Sequence, residues 1–119
     1  MKKQIREELA GHILTMINDG VIDNTNRDDW HFHLFNEDYY LIGYYECEKW
    51  LKRHNISPFE GIRICQEYEE ENYGAIEQKY ADAERVVNML AYIYGEQLLW
   101  EFDGESIEEL KEFVEDILE

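Results

Sequence analysis

The stretch that most limits what this chain can fold into is residues 81 to 102, ADAERVVNMLAYIYGEQLLWEF. Val86, Leu90, Ile93, Gln97, Leu98 and Glu101 recur at helical spacing, and Val87, Ala91 and Tyr94 widen the apolar side well beyond a stripe. The pattern predicts a long helix that is mostly buried.

The segments that would enclose it are helical too. Residues 2 to 19 place Ile5, Leu9, Ile13, Met16 and Ile17 at helical spacing and meet Gly20, a fitting C-terminal stop. VIDNTNRDD reads as a polar loop. In WHFHLF, residues 30 to 35, alternation favours a strand, but no partner strand of similar quality exists and a lone strand leaves its backbone unpaired. A helical turn leading into the next helix is the better reading. That helix runs from a cap at Asn36 to about Asn55, with Tyr40, Leu41, Tyr44, Cys47 and Leu51 as its stripe. SPFE opens another at Ser57, with proline in the first turn and Glu60 three residues after the cap, running to about Tyr73. SIEE repeats the capping box at Ser106 and Glu109 before Ile107, Leu110, Phe113, Val114 and Ile117. The expectation is one all-α domain of about five helices over residues 1–119.

Hydrophobic residues at 45% and aromatics at 14% support a folded chain, so the net charge of −17 sits on a folded surface. It is segregated. Residues 1–63 hold 11 acidic and 8 basic residues, whereas residues 64–119 hold 17 acidic and 3 basic. Such a surface repels nucleic acid and anionic membrane and attracts basic proteins. No apolar run reaches the length of a membrane span, and MKKQIREELAGHILTMI carries charges throughout, so a cytoplasmic protein is expected, with Cys47 and Cys65 as reduced core residues.

Two acidic segments stand out. CQEYEEENYGAIEQ contains Glu67, Glu69, Glu70 and Glu71 with no lysine or arginine. The second runs from Glu101 through Asp103 and Glu105 to Glu108, Glu109, Glu112, Glu115 and Asp116, with Glu119 beyond. On the last helix six carboxylates, Glu108 to Glu119, span roughly 16 Å at about 1.5 Å per residue. That is about one charge per 3 Å, close to the roughly 3.4 Å spacing of phosphates along one strand of duplex DNA. Like charges at i, i+4 cost a helix a few tenths of a kcal/mol per pair; their retention makes this surface the leading candidate for binding a basic partner. The plain alternative is a solvated helix face.

Catalytic motifs are absent from the sequence. It has no phosphate-binding glycine loop and no G-x-S-x-G, and Ser57 and Ser106 are both accounted for as caps. His31 and His33 would point about 200° apart on a helix, which does not favour a shared metal ion. No enzyme, cofactor or metal site is expected. Tyr39, Tyr40, Tyr44, Tyr45 and Trp50 exceed what one buried stripe needs, so Tyr39, Tyr45 and Trp50 are candidates for a homodimer or partner contact, with core filling as the alternative.

RVVNMLAYIYGEQLLWEF followed by an acidic amphipathic terminus resembles the Ocr family of phage antirestriction proteins, which imitate DNA. Ile93, Tyr94, Glu96, Trp100 and Glu101 fall in a similar arrangement. The resemblance covers about the last third of the chain; Lys49, Lys52, Arg53 and Arg63 form a basic island outside it. It implies a dimer that occupies the DNA-binding groove of Type I restriction enzymes; since other small acidic phage inhibitors use the same electrostatic device on unrelated folds, the expected partner of this non-enzymatic inhibitor is a restriction enzyme, CRISPR effector or similar basic DNA-binding protein. The competing expectation is a helical adaptor that binds through residues 39–50.

Overall fold

The computed structural model describes residues 2–35, 44–72 and 83–119. Within them the chain is all-α: α1 Lys3–Asn18, α2 Trp30–Phe35, α3 Tyr44–Arg53, α4 Pro58–Asn72, α5 Ala83–Glu101 and α6 Ile107–Leu118, with a 3-10 turn at Arg27–Asp29 before α2. WHFHLF is therefore helical; the expected cap at Asn36 and the start of the next helix lie outside the described residues.

Local capping sets most of the boundaries. At the end of α1, Gly20 takes φ 75°, its N–H reaches the Ile17 carbonyl and the Val21 N–H reaches Met16. This is a Schellman closure, in which the left-handed residue lets two following amides satisfy two orphan carbonyls. Asn55 repeats it after α3 with φ 55°, Asn55 N–H to Lys52 and Ile56 N–H to Leu51, and Ile56 is then buried. Asparagine is the other residue that tolerates this conformation. Ser57 Oγ accepts from the Glu60 amide at 3.1 Å to start α4.

α5 is the centre of the molecule. Val86, Val87, Leu90, Ala91, Ile93 and Leu98 are all at most 3% exposed, and α1, α2, α3 and α4 each pack against the helix. Ile5, Leu9 and Ile13 of α1, Trp30, Leu34 and Phe35 of α2, Cys47, Trp50 and Leu51 of α3, and Cys65 of α4 complete the core. Both cysteines are buried and outside any disulfide. Two glycines within helices permit close packing between elements: a Cβ on Gly95 would meet the Phe35 ring, and one on Gly61 would stand 2.6 Å from Val86 Cγ1. α6 packs on α1 and adds Leu110 and Val114 to the core. No helix among the described residues is long and apolar enough to cross a membrane.

Candidate acidic docking surface

The carboxylates from Glu101 onward are presented by a tightly anchored turn. Arg27 lays its guanidinium 4.5 Å over the Trp30 ring and 5.8 Å from the Phe102 ring, and donates to the Gly104 carbonyl at 3.0 Å. Trp30 stacks on Phe102 and donates its indole N–H to the Asp23 carbonyl at 2.8 Å and Asn26 Oδ1 at 3.0 Å. Asn24 Oδ1 accepts the Ile107 amide at 2.7 Å, while its Nδ2 donates to the Glu108 carboxylate at 3.3 Å. The loop after α1 thus fixes the first turn of α6.

Ser106 and Glu109 form the full capping box: Ser106 Oγ accepts the Glu109 amide at 3.2 Å, and Glu109 Oε1 accepts the Ser106 amide at 3.3 Å. The Ser106 side-chain and backbone hydrogen bonds hold the Glu109 carboxyl below its ordinary range. With Leu110 and Val114 buried and Phe113 packed 5.5 Å from Phe102, the helix has one rotational setting. Its polar side then faces solvent.

Glu101, Asp103, Glu105, Glu108, Glu109, Glu112, Glu115, Asp116 and Glu119 are all exposed. Glu101 pairs with Arg6 of α1 and Glu108 with Asn24. Asp103, Glu105, Glu112, Glu115, Asp116 and Glu119 accept no hydrogen bond or ion pair from the described residues, and Lys111, the one basic residue after Arg85, forms no ion pair among them. α6 ends with no basic side chain in its last turn, although a helix C terminus favours cations.

The other acidic segment is held differently. Among the described residues α4 packs chiefly on α5 and α6 chiefly on α1. Glu67 is exposed and paired with Arg63 at 3.1 Å within its own helix. The side chains of Glu69, Glu70 and Glu71 lie outside the described residues, as do that of Tyr45 and the whole of Tyr39. Of the basic island, Arg63 is spent on Glu67 and Arg53 on Glu8 at 2.8 Å.

Trp50 corrects an expectation. Its side chain is interior, 4% exposed, with the indole N–H donating to Glu8 Oε2 at 2.7 Å and its ring 4.5 Å from that of His54. A residue so engaged offers no face to a partner. Glu8 also meets His54 Nε2 at 3.3 Å, so one α1 carboxylate gathers three donors from α3 and the residue after it. His12 and His31 are structural as well, at 2.6 Å from the Leu34 carbonyl and 3.0 Å from the Tyr92 carbonyl. Burial lowers the His12 pKa, against the opposing Leu34 hydrogen bond. Among the described residues no group of three or more metal-ligating side chains comes together.

Asn24, Arg27 and Glu8 were not singled out in the sequence. Their partners lie dozens of residues away, and no local pattern announces such contacts. Comparison with protein-family models, with curated proteins and with solved structures finds no match.

Proposed function

We propose that the protein is a non-enzymatic inhibitor of DNA binding, whose carboxylates from Glu101 to Glu119 substitute for DNA phosphates in the basic groove of a host defence nuclease or another DNA-binding protein. The observation that supports this reading is the run of exposed acids on an anchored turn and helix, six of them unpaired among the described residues. DNA draws much of its affinity for proteins from neutralised phosphates and released counterions. A folded, preorganised row of carboxylates presents comparable charge density without the cost of ordering a flexible chain. Phage origin and a homodimeric state are part of the same proposal. Of the adaptor alternative's candidate residues Trp50 is interior, while Tyr39 and the Tyr45 side chain lie outside the described residues.

The test is capture from host lysate at low salt, with elution by a salt gradient and separately by duplex DNA, run in parallel with Glu108→Lys/Glu112→Lys/Glu115→Lys. The expected result is a basic DNA-binding protein released by both eluents and not retained by the triple variant. A partner held equally by the charge-reversed protein overturns the proposal.

A further inference from the structure

The acidic row begins beside an exposed indole. Trp100, the penultimate residue of α5, is 80% exposed, whereas Trp30 and Trp50 are 0% and 4% exposed. A solvent-facing tryptophan forgoes about 1.5–3 kcal/mol of burial, by analogy with other large apolar side chains. Its surroundings are anionic. Glu96 lies one turn earlier on the same side of the helix, Glu101, the partner of Arg6, is its neighbour, and Asp103 and Glu105 follow in the exposed turn with no basic partner among the described residues. It also sits at the C-terminal end of a 19-residue helix that carries no basic side chain in its last turn, where the helix dipole adds partial negative charge.

A π-face, carboxylates and a helix C terminus share one preference, a cation that is flat and weakly hydrated. Guanidinium stacks on an indole face and hydrogen-bonds carboxylates through planar forks; the compact, strongly hydrated ammonium of lysine does so less well. We infer that Trp100 is a platform for an arginine side chain of the basic protein that occupies the acidic surface. The inference rests on the function proposed above and adds a preference that carboxylates alone do not provide. Charge attracts lysine and arginine alike, and Trp100 selects between them. In a DNA-binding partner the arginine so engaged is one that would otherwise lie against phosphates or stack on an unpaired base.

The test uses hexa-arginine and hexa-lysine peptides of equal charge, titrated into the full chain at low salt by calorimetry and by tryptophan emission. Only Trp100 is water-exposed, so a peptide-induced emission change reports that site. The wild type is expected to bind the arginine peptide more tightly, Trp100→Leu to weaken that peptide about 3- to 5-fold with less than a twofold effect on the lysine peptide, and Trp100→Phe to recover part of the preference. An arginine preference unchanged in Trp100→Leu overturns the inference. Glu108→Lys/Glu112→Lys/Glu115→Lys separates it from its premise: both peptides should weaken in that variant. If neither does, the acidic surface itself is the wrong site; if both do while Trp100→Leu keeps its preference, only the arginine platform falls.

Discussion

Reversing Glu112 and Glu119 to lysine should stabilise the fold while weakening any complex made by the acidic face. Along α6 and its C-cap Glu119 the pairs Glu108–Glu112, Glu112–Asp116 and Glu115–Glu119 stand at i, i+4, and all five of these residues are exposed. The two substitutions convert three like-charge pairs into three opposite pairs. Each inversion removes a repulsion and adds an attraction of about 0.2–0.5 kcal/mol, or roughly 1–3 kcal/mol for the three. Solvent screening of exposed pairs puts the expected gain at the lower end, about 1–2 kcal/mol in 20 mM salt. For a domain of this size that is a rise of roughly 4–10 °C in Tm. Thermal unfolding followed by circular dichroism measures it directly. In about 1 M salt the Debye length falls to about 3 Å and the gain should disappear. A variant no more stable than wild type at low salt, or equally stabilised at high salt, would refute the electrostatic account of this helix. The same variant should bind a polycation more weakly, since four units of negative charge are gone.

Three further outcomes follow from the packing. Gly95→Ala would normally improve a helix by about 1 kcal/mol. Here the new Cβ falls 2.5 Å from Phe35 Cε2 and Cγ, so a net loss of about 1–3 kcal/mol is expected. In a Phe35→Leu background the alanine should cost far less, and additive free energies in that double-mutant cycle would remove the explanation. Glu8→Ala strands the Trp50 indole N–H and the His54 ring, and chemical denaturation should show a loss of about 2–3 kcal/mol; a change under 0.5 kcal/mol would mean that this hub carries no energy. His12 has a folded-state pKa below its unfolded value of 6.5, so the unfolded chain binds the proton first and stability falls as pH drops below about 6.5, levelling once the folded ring is protonated too. In His12→Gln, which keeps a donor for the Leu34 carbonyl, the pH dependence of Tm in that window should be shallower; an unchanged slope would discharge His12.

Those features of the fold that depend on neighbours in sequence were legible. Gly20, Asn55, Ser57 and Ser106 each close or open a helix by bonds within five residues, and the wide apolar side of α5 marks it as central. Features that depend on where elements meet were not. Trp50 was grouped with the surplus aromatics around it because periodicity alone cannot show that Glu8, 42 residues earlier, waits for its indole. Likewise the acidic terminus was readable as a charged helix face, but its anchoring by Asn24 and Arg27 spans 83 and 77 residues and leaves no trace in either segment. The sequence also placed two acidic segments on equal footing. The structure distinguishes them at Glu67, which is already paired with Arg63, whereas the acids of α6 have no basic partner among the described residues.

The placement of these charges runs against the intrinsic preferences of helices, and that conflict bears on what they are for. α5 ends on Glu101, which draws Arg6 from α1, and α6 on Glu115 and Asp116, and neither helix has a basic residue in its last turn. Each acid at a negative helix pole costs about 0.3–1 kcal/mol at low ionic strength, and the whole fold of a typical domain is worth only about 5–15 kcal/mol. Salt should therefore raise the stability of this protein by screening its self-repulsion. Salt should also dissociate a complex in which the same carboxylates meet a basic groove. The two slopes have opposite signs only if one set of charges both strains the fold and drives the association. Tm and the dissociation constant measured across the same salt series decide this: a partner whose affinity is flat in salt, on a fold that salt stabilises, would separate the charge from the function.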